Sequence, residues 1–165
     1  MRELLRKNLS RSLTAALAIL VAGPSILSHA APITIGTTYQ DRAVTLCPTV
    51  NKQCSLPLTA VPTNKELILT HAACYIQTTL NANYGRLRLV VLNPGGSVIG
   101  PNSPLIPTIV GATSNVRYWQ LNHPIQQLVK PGHKPQISVE LQAANTDIFV
   151  VECTITGTIS DAPPI

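Results

Sequence analysis

Gln136 to Ala143 reads QISVELQA, and Phe149 to Thr158 reads FVVECTITGT. In the first run Ile137, Val139, Leu141 and Ala143 share one parity, while Gln136, Ser138, Glu140 and Gln142 take the other. In the second, Phe149, Val151, Cys153 and Ile155 alternate with Glu152, Thr154 and Thr156. A period of two sends apolar side chains to one face and polar ones to the other, as in a half-buried antiparallel strand. The short polar link Ala144-Asn145-Thr146 predicts that the two runs pair as a hairpin.

The same pattern recurs toward the N-terminus. Glu66 to Gln77 (ELILTHAACYIQ) predicts a long strand with Ile68, Ala72, Cys74 and Ile76 on one face. Arg86 to Leu92 (RLRLVVL) alternates through Leu87, Leu89 and Val91. Leu105 to Val110, Val116 to Leu121 and Ile125 to Val129 are shorter strand candidates. Asn122-His123-Pro124 and Lys130-Pro131-Gly132-His133 read as turns between them. Arg42 to Leu46 and Ser55 to Leu58 would flank a small cysteine ring as a second hairpin. Fourteen prolines and no sustained helical periodicity argue against long helices. The expectation is a single all-β domain, an antiparallel β-sandwich of jelly-roll or immunoglobulin-like type with about eight or nine strands. Asn93 to Thr108 (NPGGSVIGPNSPLIPT) is its least regular stretch and reads as a functional or mobile loop.

The first thirty residues read as an export signal. Arg2, Arg6, Lys7 and Arg11 precede the apolar run from Thr14 to Leu27, and Ser28-His29-Ala30 places small residues at the minus-three and minus-one positions before Ala31. The run is too short to span a bilayer, and Gly23-Pro24 interrupts it. Residues 1–30 are therefore a signal peptide, 31–42 an extension or edge strand, 43–160 the domain and 161–165 a tail. The mature chain is expected to be secreted or periplasmic, with no transmembrane anchor. Twelve Lys and Arg stand against seven Asp and Glu, but four of those bases and one acid belong to the signal, leaving eight against six. Those eight bases are scattered along the chain, which argues against a nucleic-acid partner.

Four cysteines suit an oxidising compartment and allow three pairings. Position favours Cys47–Cys54, bracketing CPTVNKQC, together with Cys74–Cys153, each inside a strand-like run. Two inward cysteines this distant would crosslink the sheets through the core, which resembles the inter-sheet disulfide of immunoglobulin-like domains. The absence of C-x-x-C spacing speaks against a metal or redox pair.

Catalytic constellations are scarce. His71, His123 and His133 form no H-x-H, H-x-x-x-H or H-E-x-x-H grip, so no metal and no cofactor is expected. Glu140 and Glu152 would lie diagonally at about 7–8 Å if their strands formed a hairpin, a separation glycoside hydrolysis can use. Exposed carboxylates decorating a wet sheet face, opposite Arg86 and Arg88, are the simpler reading. No G-x-S-x-G elbow is present. Trp119 shares parity with Leu121 and reads as core; were it exposed, Arg117, Tyr118 and Trp119 would form a small binding patch.

Two resemblances extend this reading. VPTNKELIL at Val61 to Leu69, ahead of a cysteine-bearing strand, and KPGHKP at Lys130 to Pro135, leading into Ile137 to Glu140, resemble small secreted bacterial β-sandwich proteins of unassigned function. That resemblance covers most of residues 43–160 and implies no catalytic residue. Pro32 to Tyr39 (PITIGTTY) is similar to the N-terminal extension of chaperone-usher fimbrial subunits, which completes a neighbour's sandwich. The chain departs from them at its C-terminus, Asp161-Ala162-Pro163-Pro164-Ile165, where those subunits carry an aromatic-bearing strand. An edge strand of its own domain is the plainer expectation. The sequence thus points to a monomeric, non-enzymatic, disulfide-braced binding or envelope-associated module. Self-assembly through Ile33 and Ile35 is the alternative, and a glycoside hydrolase the more remote one.

Overall fold

The computed structural model describes residues 27–47, 53–81, 84–142 and 148–163. Eleven strands form among them: β1 (Leu27–His29), β2 (Ile33–Ile35), β3 (Thr38–Leu46), β4 (Gln53–Pro57), β5 (Lys65–Thr79), β6 (Tyr84–Leu92), β7 (Val98–Pro104), β8 (Thr108–Ala112), β9 (Val116–Val129), β10 (Lys134–Leu141) and β11 (Ile148–Asp161). They make two antiparallel sheets. The larger has seven strands, in the order β1-β3-β11-β5-β9-β8, with β2 also on the free side of β3. The smaller runs β4-β10-β6-β7. The all-β expectation holds among the described residues. No helix among them is long and apolar enough to cross a membrane. Of the first thirty residues, 1–26 lie outside the described set, and so does the greater part of the signal reading.

Period-two sequence builds one shared interior. Leu69, Ile76 and Ile155 of the larger sheet and Leu56, Leu89, Ile137 and Val139 of the smaller belong to a single cluster, each fully buried. Each such side chain contributes about 1.5–3 kcal/mol through removal from water.

Both expected hairpins are replaced by crossings. The runs that share the best alternation do not pair: β10 lies between β4 and β6, and β11 lies between β3 and β5. Their link Ala144-Asn145-Thr146 falls outside the described residues. Likewise β3 and β4 belong to different sheets, so the chain passes from one to the other across the small cysteine ring. Alternation specifies which face is buried; it carries no information about which neighbour supplies the hydrogen bonds.

The disulfides pair as expected, Cys47 with Cys54 and Cys74 with Cys153. Their structural roles are the reverse of the expectation. Cys74 and Cys153 face each other in register on adjacent strands β5 and β11, with Cα atoms 4.1 Å apart. That is close to the spacing of a non-hydrogen-bonded cross-strand pair, about 4.5 Å. The bond staples one sheet to itself. The immunoglobulin comparison fails here, and it is the short ring that joins the sheets, from the end of β3 to β4.

β9 is one strand from Val116 to Val129, so Asn122-His123-Pro124 is not a turn. Parity runs unbroken through it: Trp119, Leu121, Gln127 and Val129 are buried, while Gln120, Asn122, Pro124, Gln126 and Leu128 are exposed. Pro124 sits beside an irregularity in the β5 pairing and where no strand pairs the other side of β9, the two places a strand accepts a residue without an N–H.

Candidate functional site

The stretch Asn93 to Thr108 contains an edge strand, β7, followed by a crossing to β8. A tight turn launches it: Asn93 N–H donates to Ser97 O at 2.9 Å, and Asn93 Oδ1 accepts Ser97 N–H at 2.9 Å. β7 then pairs with β6 at Val98 and Ile99 and again at Ser103 and Pro104, leaving Gly100 to Asn102 as a bow without ladder partners. Gly100 adopts φ +71°, a left-handed conformation that glycine takes at no steric cost, and it makes the bow feasible.

Across from the bow lies an unpaired backbone edge. β8 pairs with β9 only from Arg117 to Gln120, so no described strand covers the same side of β9 from Leu121 to Val129. Between β7 and this edge is a cleft of about 580 Å³. Val91, Ile99, Pro101 and Leu128 supply apolar walls, and Gln126 and Gln127 line the β9 side. Ser103 Oγ donates to Gln127 Oε1 at 3.1 Å and ties the two strands together at one end.

Lys130 and His133 complete the lining, and no carboxylate is part of it. Their turn is fixed: Gly132 N–H donates to Val61 O and Val61 N–H to His133 O, both at 2.9 Å. His133 Nδ1 lies 2.9 Å from Pro131 O, so that nitrogen carries the proton and donates, leaving Nε2 free to interact elsewhere. An apolar cleft with a cationic rim and exposed backbone donors and acceptors suits an extended segment bearing a carboxylate.

The residues singled out from sequence do not meet in this cleft. Trp119 is a core residue, 8% exposed, and its indole N–H donates to Thr78 Oγ1 at 2.9 Å. Arg117 lies over the Trp119 ring at 5.6 Å, whereas Tyr118 points to the other face and stacks with Tyr75 at 6.0 Å. Strand alternation divides the Arg117-Tyr118-Trp119 trio between two faces, so no single patch forms from it.

Glu140 and Glu152 are separated more completely. They lie on different sheets, Glu140 across from Arg86 and Glu152 paired with Arg42, whose Nε donates to Glu152 Oε1 at 2.9 Å. The diagonal carboxylate geometry required a β10–β11 hairpin and goes with it. His71 bonds to Asn122 on the outer face of the larger sheet. No group of three or more His, Cys, Asp or Glu that could hold a metal occurs among the described residues. The sequence reading marked the Asn93–Thr108 side of the cleft but missed Gln127, Lys130 and His133. The signal for Gln127 was its place in an inward parity otherwise held by Trp119, Leu121 and Val129. No protein-family model matches the chain, and no curated protein matches it.

Proposed function

We propose that the chain is an exported, non-catalytic binding module that holds an extended, mainly apolar segment of a partner polypeptide in the cleft between β7 and β9. The observation that carries this reading is the unpaired edge of β9 beside apolar walls. Such an edge adds a strand through main-chain hydrogen bonds, while the walls select alternate side chains. Lys130 and His133 favour a carboxylate on the incoming segment. The strand orders β3-β11-β5-β9 and β4-β10-β6-β7 support a jelly-roll sandwich, the two four-stranded sheets of a doubled Greek key, with β1, β2 and β8 added at its edges. Two disulfides and the basic-apolar-small pattern of the first thirty residues support secretion or a periplasmic location. Fold alone assigns no activity, so the reading rests on the cleft.

Fluorescence anisotropy with a labelled ten-residue peptide alternating Val and Thr tests it. The peptide with a free C-terminal carboxylate is expected to bind more tightly than its amidated form, and Lys130→Gln to remove that preference. Ile99→Lys, which puts a charge among the apolar walls, is expected to weaken binding at least about tenfold. Absence of binding by either peptide up to millimolar concentration retires the cleft as a strand acceptor.

A second reading, self-assembly by strand donation, has one observation in its favour. Ile33 and Ile35 of β2 are 57% and 75% exposed, although β2 is already paired with β3 of its own chain. Sedimentation velocity separates the two. Concentration-dependent assembly that Ile33→Asp with Ile35→Asp abolishes supports donation, and a wild-type monomer at millimolar concentration eliminates it.

A further inference from the structure

Asp41 is the most deeply buried acid of the described residues, 1% exposed, on the inner face of β3. Its two oxygens are unequally served. Oδ2 accepts Thr59 N–H at 2.7 Å and the Tyr39 hydroxyl at 3.3 Å, whereas Oδ1 has no hydrogen-bond partner. Burial, then the Asp41 charge and the hydrogen bond to it, hold the Tyr39 phenol protonated well above the ordinary tyrosine range, so it remains a donor to Oδ2. A buried carboxylate oxygen without a donor is costly unless a cation or hydrogen bond reaches it.

In the unprocessed chain the side chain that approaches this oxygen is His29, whose Nε2 lies 3.5 Å from Asp41 Oδ1 and 3.1 Å from Thr59 Oγ1. His29 belongs to β1, directly across from Ala43. It also belongs to the segment that the export reading removes. The junction itself runs along Asp41: Ala30 N–H donates to Arg42 O at 3.3 Å, and the pairing resumes at Ile33 opposite Gln40. Ala31 therefore lies beside Asp41 and Arg42. Ser28 to Ala31 are exposed, so a peptidase can reach the bond.

We propose that removal of the leader after Ala30 creates the missing partner: the α-ammonium of Ala31 docks on Asp41 Oδ1 in place of the His29 imidazole. Hydrolysis of the Ala30–Ala31 peptide bond by water leaves a carboxylate on the departing leader and an amine on Ala31, which is protonated at neutral pH. That ammonium has three donors, and a charge-assisted bond to a buried carboxylate is about twice as strong as a neutral one. The new N-terminus thereby holds β2 against β3 after β1 has gone. The processing site and the buried acid form one device, which makes the identity of the first mature residue part of the fold. This rests on the export reading, with cleavage at that bond.

The full-length chain is exported with its leader, with and without a glycine inserted between Ala30 and Ala31, each in wild-type and Asp41→Asn form. The insertion moves the ammonium by about 3.5 Å. Acetylation of the α-amine by an N-hydroxysuccinimide ester at neutral pH is expected to be at least about tenfold slower in the chain beginning at Ala31 than in the extended one. Its unfolding midpoint is expected to be higher by about 5 °C. Asp41→Asn is expected to erase both differences. Equal labelling rates in the two wild-type forms, or differences that survive Asp41→Asn, overturn the docking. Intact mass of the exported material reads the junction independently. A start other than Ala31 overturns the cleavage step, and a chain released at Ala31 from a fusion still reports on the ammonium itself.

Discussion

Gly157→Ala is expected to destroy the central pairing of the larger sheet. A Cβ at this position would lie 2.2 Å from the Ile68 carbonyl oxygen and 3.0 Å from Ile68 C and Leu69 Cα, all backbone atoms of β5. No side chain can turn aside to make room. β5 and β11 meet there at an irregularity between Thr156 and Gly157, where the strands approach more closely than a side chain allows. Adding a methyl group forces them apart along the longest ladder among the described residues, at a cost of about 3 kcal/mol or more. Against a typical total of about 5–15 kcal/mol, that lowers the thermal midpoint by about 10 °C or more. Thr158→Ala, one residue on and exposed, should stay within about 0.5 kcal/mol of wild type. Thermal unfolding followed by circular dichroism compares the three. An unchanged midpoint for Gly157→Ala would mean that β11 does not run against β5 in the register described.

Removing the long-range disulfide is the second large perturbation. Cys74 and Cys153 are separated by 79 residues, Cys47 and Cys54 by 7. On chain entropy the long loop restricts the unfolded ensemble by about 4.5 kcal/mol and the short one by about 2.5. Cys74→Ala with Cys153→Ala should therefore lower the denaturant midpoint more than Cys47→Ala with Cys54→Ala. The spatial pattern should differ too. The long-range bond sits mid-ladder between two central strands, so its loss lowers protection throughout the larger sheet. The short bond ties β3 to β4, an edge strand of the smaller sheet, so its loss should raise amide exchange chiefly from Gln53 to Pro57. An equal effect of the two pairs on global stability would sink the chain-entropy account.

Much of this architecture was legible in the sequence, and the illegible part has a definite character. The parity of Ile137, Val139, Cys153 and Ile155 marked their buried face, and the structure buries all four. Cysteine positions marked the pairing. What parity cannot encode is the identity of the neighbour. Two inward cysteines on adjacent strands and two on opposing sheets produce the same alternation, so the staple between β5 and β11 read as a crosslink between sheets. For the same reason two consecutive runs, β10 and β11, read as a hairpin although each pairs with strands distant in sequence. Pro124 reads as punctuation because its missing N–H excludes most strand positions; the exception depends on an unpaired edge that only the assembled sheet reveals. The cleft suffers from the same blindness. Ile99 and Leu128 are 29 positions apart, and neither sequence segment alone indicates that it borders the other. Trp119 was readable because a single parity decided it.

The position of β11 sets an order of events for biogenesis. β11, which follows every other described strand in the chain, fills the middle of the larger sheet, with β3 on one side and β5 on the other. Until it arrives, both of those strands lack an inner neighbour, and Cys74 lacks the thiol it must meet. Closure of the larger sheet and of its long-range disulfide therefore waits for Ile148 to Asp161, after every other described strand has been made.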